Sequence, residues 1–349
     1  MKFGTRTIMI IIIVLTCFLA FFQLDYYIMK PGKAYNVNDF ITVQNGDEDD
    51  EGAFYMMTVS MGRATPLTYM IAMFNDYMEV VEPESVRQEE EDEEEYNIRQ
   101  LKMMTDSQFN ASYVAFSRAN LDYQVTYKGI YVLNILKNGA AAGILKPGDE
   151  IVEIDGERIE RQASLLERIA EKKLGDDIEL VVSRKDELID KSITLAEIPG
   201  TDGRVGLGIT FTESKSIKTD PKVIVETEDI GGPSAGLMFT LELLNQLTET
   251  DITKGYKVAG TGEMHEDGTV GRIGGVERKV VAAEKDGMEI FFAPDDMVSE
   301  AMLEVNPNIV SNYEAAVQTA KEIGTDMKIV PVKTIDEALA YLETLAPKN

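Results

Sequence analysis

Gly231-Gly232-Pro233-Ser234-Ala235-Gly236 follows the strand-like run Lys222–Glu226 and opens the apolar run Leu237–Leu247. Strand, glycine-rich turn and helix in that order put the Ser234 hydroxyl at the positive end of a helix, among residues too small to crowd a substrate. Pro233 suits a first helical position, and the glycines let backbone N–H groups approach an anion. A nucleophile and an oxyanion hole need this chemistry, with Gly232 as a candidate donor. The plainer reading is a strand-to-helix turn with a capping serine.

Downstream lie Gly260-Thr261-Gly262-Glu263, an acidic turn His265–Gly268, and Gly271-Arg272-Ile273-Gly274-Gly275-Val276-Glu277-Arg278-Lys279. Together with the serine turn these motifs resemble the catalytic domain of Lon-type Ser-Lys proteases, over roughly the last third of the chain. The resemblance implies that Ser234 is the nucleophile, Lys279 its base, and Thr261 a contact of the lysine. A lysine serves as a base near neutral pH only if its pKa falls by about 3 units, and burial is the usual means. Val276, Val280, Val281 and Ala283 supply apolar neighbours, so the expectation is a buried Lys279 beside an exposed Arg278 and Lys285. Gly231 stands where many Lon proteins carry an acid.

Other hydrolytic schemes fail on residue counts. His265 is the one histidine and sits inside a tight turn, which leaves little room for the strands and acid of a Ser-acid-His hydrolase, and a single histidine excludes an H-E-x-x-H zinc site. Neither S-x-x-K nor G-x-x-x-x-G-K-(S/T) occurs, so no β-lactamase-type dyad, cofactor or metal is expected, and the chemistry should run without ATP.

Lys128-Gly129-Ile130-Tyr131-Val132-Leu133, the turn Asn138–Gly143, and Pro147-Gly148-Asp149-Glu150-Ile151 through Asp155-Gly156 precede an amphipathic run at Ser164–Lys173. Their order resembles a bacterial protease-type PDZ domain. That implies an extended peptide added as a strand, its carboxylate held by the N–H groups of Gly129, Ile130 and Tyr131. The competing reading is a β-rich spacer whose groove is never filled.

A net charge of −27 over 349 residues lacks the clustered Lys and Arg that nucleic acid needs, and 44% apolar content is enough for real cores. The single cysteine, Cys17, forms no internal disulfide. Ile8–Leu24 is an apolar run just long enough for a bilayer, with Lys2 and Arg6 before it and Asp25 after it. The positive-inside rule then keeps the N-terminus in the cytoplasm and the rest outside. No signal-peptidase site follows, and Thr16-Cys17 is a poor lipid-attachment box.

The expected fold is therefore α+β: a cytoplasmic tail (1–6), a transmembrane helix (7–24), an extracellular N-terminal segment whose strand and helix fit the opening of the protease domain (25–127), a PDZ-like β-rich domain (128–198) and a Lon-type α+β proteolytic domain (199–349). Within 25–127, Phe54–Ser60 reads as a strand, Pro66–Tyr77 and Met103–Leu121 as helices, and the acidic run Glu89–Glu95 as a solvated loop or helix tip. As a whole the chain resembles membrane-anchored PDZ-Lon proteases of bacteria. That implies cleavage of extracytoplasmic peptides or small membrane proteins at the outer face of the cell membrane, with oligomerisation possible. The alternative is a non-catalytic PDZ scaffold or adaptor with a vestigial dyad.

Overall fold

The computed structural model describes residues 4–47, 51–88, 91–227 and 230–348. Lys2 of the expected cytoplasmic tail and Glu89 and Glu90 of the acidic run lie outside the described residues. The chain divides into two compact units, one of Met1–Thr42, Gly46–Val86 and Ser234–Asn349, the other of Val43–Asn45 and Arg87–Pro233.

The first unit is built on a six-stranded sheet in the order Lys328–Val332, Ile290–Pro294, Lys257–Gly260, Ala53–Arg63, Tyr27–Asn36 and Glu79–Val81. Its first four strands are parallel, and Tyr27–Asn36 runs antiparallel to both of its neighbours, Ala53–Arg63 and Glu79–Val81. Parallel neighbours need crossover helices, and Val276–Lys285 and Asn312–Ile323 supply them before and after Ile290–Pro294 in the sequence, packed together on one face of the sheet. Covered on both faces, Ile290–Pro294 is buried at every position.

Strand alternation sorts the helices. Met57, Ala259 and Phe291 face the apolar side of the lysine helix, Val276–Lys285. Gly260 lies against Met238 of the serine helix, Gly236–Gln246, whose eleven residues are all buried. The expected strand at Phe54–Ser60 forms as Ala53–Arg63, paired with Lys257–Gly260 although some 200 residues separate them in sequence.

The N-terminal helix, Thr5–Phe21, has 17 residues and none of them is buried. At about 1.5 Å per residue it reaches about 25 Å, short of a bilayer core of about 30 Å. Among the described residues, the expected 7–24 stretch included, no helix is long and apolar enough to cross a membrane. The helix ends at Phe21 because Phe22 turns to an extended conformation.

In the second unit an antiparallel sheet runs Ile209–Asp220, Asp122–Ile135, Glu150–Ile154, Asp177–Arg184, Glu187–Thr194. Ile130, Val132, Ile151, Ile154, Ile178 and Leu180 form its core with Leu165 of the helix Gln162–Ala170. Lys185 and Asp186, both at positive φ, make the two-residue turn that a right-handed hairpin twist favours. This unit is wider than the expected 128–198.

It takes in the long helix Glu93–Ala119, which starts ten residues before the expected Met103. The acids explain that early start. Asp92 and Glu95 close a reciprocal capping box, and Glu93–Glu95 lie in the first turn, where carboxylates favour the helix dipole.

Candidate active site

The carboxyl end of Lys257–Gly260 delivers Thr261, the loop before Gly236–Gln246 delivers Ser234, and the middle of Val276–Lys285 delivers Lys279. The helix begins at Gly236, so Ser234 occupies a turn ahead of it and Pro233 is not its first residue. Lys279 Nζ lies 2.6 Å from Ser234 Oγ and 2.9 Å from Thr261 Oγ1.

Thr261 fixes the direction of proton traffic. Its hydroxyl donates to the Ser234 carbonyl at 3.0 Å, so its oxygen is left to accept from the lysine amine. A neutral amine that donates there turns its lone pair to Ser234 Oγ–H. The Ser234 carbonyl also accepts from Gly262 N–H at 2.9 Å, and Leu237 N–H donates to the Gly262 carbonyl at 3.1 Å. These bonds latch the serine turn to the strand end.

Lys279 is 3% exposed, with Val276, Val280 and Ala283 buried on the same helix and Val281 half-buried. Burial alone pushes its pKa down from the ordinary lysine range to about 7. Lys285 is exposed, as expected. Arg278 is not. Its side chain is largely buried and paired with Glu79, which is itself about half exposed.

Gly232 is placed differently from its expected role. Its N–H donates to the Gln100 carbonyl at 2.9 Å and is not open to an oxyanion. Ser234 N–H, by contrast, makes no hydrogen bond among the described residues. The missing acid at 231 also has a steric reason, since a Cβ at Gly231 would fall 2.8 Å from Gln100 Cβ.

In the second unit, Gly129, Ile130 and Tyr131 lie in a strand paired on both sides. Ile130 stands opposite Glu213 on one side and Ile151 on the other. No edge is left there for a peptide, which corrects the expected groove. Of the two edge strands, Ile209–Asp220 is the one beside the helix: its Glu213 accepts from the N–H of Gln162, the first residue of the helix Gln162–Ala170, at 3.0 Å.

Just before that strand, the Leu207 and Gly208 carbonyls accept from Ala141 and Leu136, while the Leu207 and Gly208 N–H groups have no acceptor among the described residues. Both residues are buried, and buried amides without partners are rare unless a ligand takes them. Gly208 has φ +69° with Gly139 Cα pressed against it, so no side chain fits. The signal in the sequence was Gly206-Leu207-Gly208 between two strands, easily read as the start of a strand.

Comparison with known proteins places both regions. Residues 104–195 match the PDZ domain family model, and residues 226–343 match that of the Lon protease (S16) C-terminal proteolytic domain. Lon protease of Xanthomonas oryzae is 29% identical over 160 residues, 45% of this chain and 17% of that protein. Lon protease of Acinetobacter baumannii is 34% identical over 117 residues, 34% of this chain and 12% of that protein. The mitochondrial Lon protease homolog of Neurospora crassa is 39% identical over 83 residues, 24% of this chain and 7% of that protein.

The chain thus spans less than a fifth of the length of these relatives. The crystal structure of the PDZ domain of an SdrC-like protein from Listeria monocytogenes is 34% identical, with 26% of this chain and 93% of that one covered at a TM-score of 0.24. By the family models, residues 104–195 carry a PDZ domain and residues 226–343 a Lon-type C-terminal proteolytic domain, a domain of the serine peptidase class.

Proposed function

We propose that this protein is an ATP-independent serine endopeptidase in which Ser234 and Lys279 form the catalytic dyad. The observation that carries this is a buried, uncharged-prone amine 2.6 Å from a hydroxyl at a helix mouth. Lys279 takes the Ser234 proton as Oγ attacks the scissile carbonyl, and Thr261 holds the amine in the orientation that makes this possible. Ser234 N–H stabilises the oxyanion. The protonated amine then returns its proton to the leaving amine, and water resolves the acyl-enzyme by the same route.

Peptide or protein substrates dock through the PDZ domain by adding a strand to the free edge of Ile209–Asp220, their carboxylate on the Leu207 and Gly208 amides. A casein assay with Ser234→Ala beside the wild type tests the chemistry, and a reporter peptide with a free or an amidated C-terminus tests the docking. Cleavage should vanish in Ser234→Ala and should be faster for the free carboxylate. Cleavage that survives Ser234→Ala discards the dyad, and equal rates for the two peptides discard the docking mode. A wild type that cleaves neither protein nor peptide favours the adaptor reading.

We place the enzyme at a membrane, with extracytoplasmic peptides or small membrane proteins as substrates. Ile8–Leu15 at the surface of an exposed helix would otherwise be left in water, and the charges around it, Lys2 and Arg6 before and Asp25 after, favour the protease on the outer face. Full-length chain should stay with the membrane pellet after an alkaline carbonate wash. Complete release into the supernatant would rule attachment out.

A further inference from the structure

The long helix Glu93–Ala119 turns one stripe toward the segment that leads into the nucleophile. Gln100, Ser107 and Gln108 stand seven and eight residues apart, two helical turns, and so share a face. Each makes one bond to that segment. The Gln100 carbonyl accepts from Gly232 N–H at 2.9 Å, Ser107 Oγ–H donates to the Pro233 carbonyl at 3.0 Å, and Gln108 Nε2–H donates to Thr227 Oγ1 at 2.9 Å.

Of the three, the Ser107 bond bears most directly on the chemistry. The Pro233–Ser234 peptide is planar, so whatever fixes its carbonyl also fixes the direction of its N–H, which points the opposite way across a trans bond. That N–H is the unpaired amide of Ser234. The next peptide plane is held independently, by Thr261 Oγ1–H and Gly262 N–H on the Ser234 carbonyl. Without Ser107, the first plane could rock about the bonds on either side of it while the second stayed put. Ser107 is itself 2% exposed and carries no other hydrogen bond that would explain a buried hydroxyl at this place.

We infer that Ser107 is a positioning residue for the reaction: by holding the Pro233 carbonyl it aims the Ser234 N–H at the site where the oxyanion develops. The inference rests on the Ser234–Lys279 reading above. An aimed donor matters more to the tetrahedral transition state than to the bound substrate, so its loss should appear in kcat and leave KM almost untouched.

The test compares Ser107→Thr with Ser107→Val, two side chains of one shape that differ in the hydroxyl. Both are assayed on the full chain beside Ser107→Ala, with a peptide boronic acid as a tetrahedral mimic. Thr should retain wild-type kcat. Val and Ala should lose about tenfold in kcat and in boronate affinity, with KM within about twofold and the acid limb of the pH profile unmoved, because Lys279 is untouched. Equal kcat for the Thr and Val variants overturns the inference, as does a loss confined to KM or to the boronate-insensitive step. If Ala fails to fold, the Thr and Val pair still decides. A wild-type rate in Ser234→Ala would instead bring down the underlying dyad, an outcome distinguishable from any result at Ser107.

Discussion

Lys279→Met is expected to lose peptide cleavage by on the order of 10³- to 10⁴-fold and yet to unfold at higher denaturant than the wild type at pH 7. The first effect follows from removing the base at 2.6 Å from the serine oxygen. The second follows from the same burial that makes the amine useful. A lysine whose pKa is pushed down to about 7 in the folded chain, against about 10.4 unfolded, is destabilising by about 4 to 5 kcal/mol wherever the unfolded chain would hold its proton in full and the native chain is protonated only against its environment.

The sign can be worked through. Between about pH 7 and 10.4 the unfolded state binds more protons than the native state, so wild-type stability rises with pH across that window. Below about 7 both states are protonated and the whole penalty persists. Above about 10.4 both are neutral and the penalty is gone. Methionine keeps the length of the lysine stem without the charge. Its gain, up to about 4 kcal/mol at pH 7 once the lost bond to Thr261 is deducted, should shrink toward nothing near pH 10. Urea unfolding at the two pH values measures it, and a methionine variant less stable than wild type at both would show that Lys279 is not held dry.

The pH profile of kcat/KM on a short reporter should fall tenfold per unit below about pH 7 and flatten above it, leaving about 1% of the plateau at pH 5. The neutral amine is the active form, so acid inactivates by protonating it. An unshifted lysine would place this limb near 10.4 and leave only about one molecule in 2,500 competent at pH 7. A flat profile between pH 5 and 8, or a midpoint near 10, would remove Lys279 as the base.

Much of the active site was legible in the sequence because its residues sit in short local motifs. The resemblance to Lon-type proteases rests on those motifs, and through it Ser234, Thr261 and Lys279 were matched by position before any contact was known. The burial of Lys279 was also legible, since Val276, Val280 and Ala283 lie one helical turn around it. Arg278 was misread for a non-local reason: Glu79, its partner, is about 200 residues away in sequence. Gly232 was misread likewise, because its amide is taken by Gln100, which belongs to a helix with no motif of its own.

The peptide groove failed at the level of sheet topology. Lys128–Leu133 has the local pattern of a strand that could receive a peptide, and nothing within it tells that Ile209–Asp220, some 80 residues later, pairs along it and takes that edge. Strand order is a long-range choice, fixed by which apolar faces close the core.

What the sequence determined by itself was a serine at a helix mouth and a lysine amid apolar neighbours, set by spacing over a few residues, while the resemblance to Lon-type proteases added the threonine and the pairing of the three. Only the tertiary structure decided which amides remain open. Among the described residues the amide of Gly232 and the strand Gly129–Tyr131 have partners and the amides of Ser234, Leu207 and Gly208 do not, because hydrogen bonds between distant backbone groups depend on how sheets and helices come together, which no local pattern records.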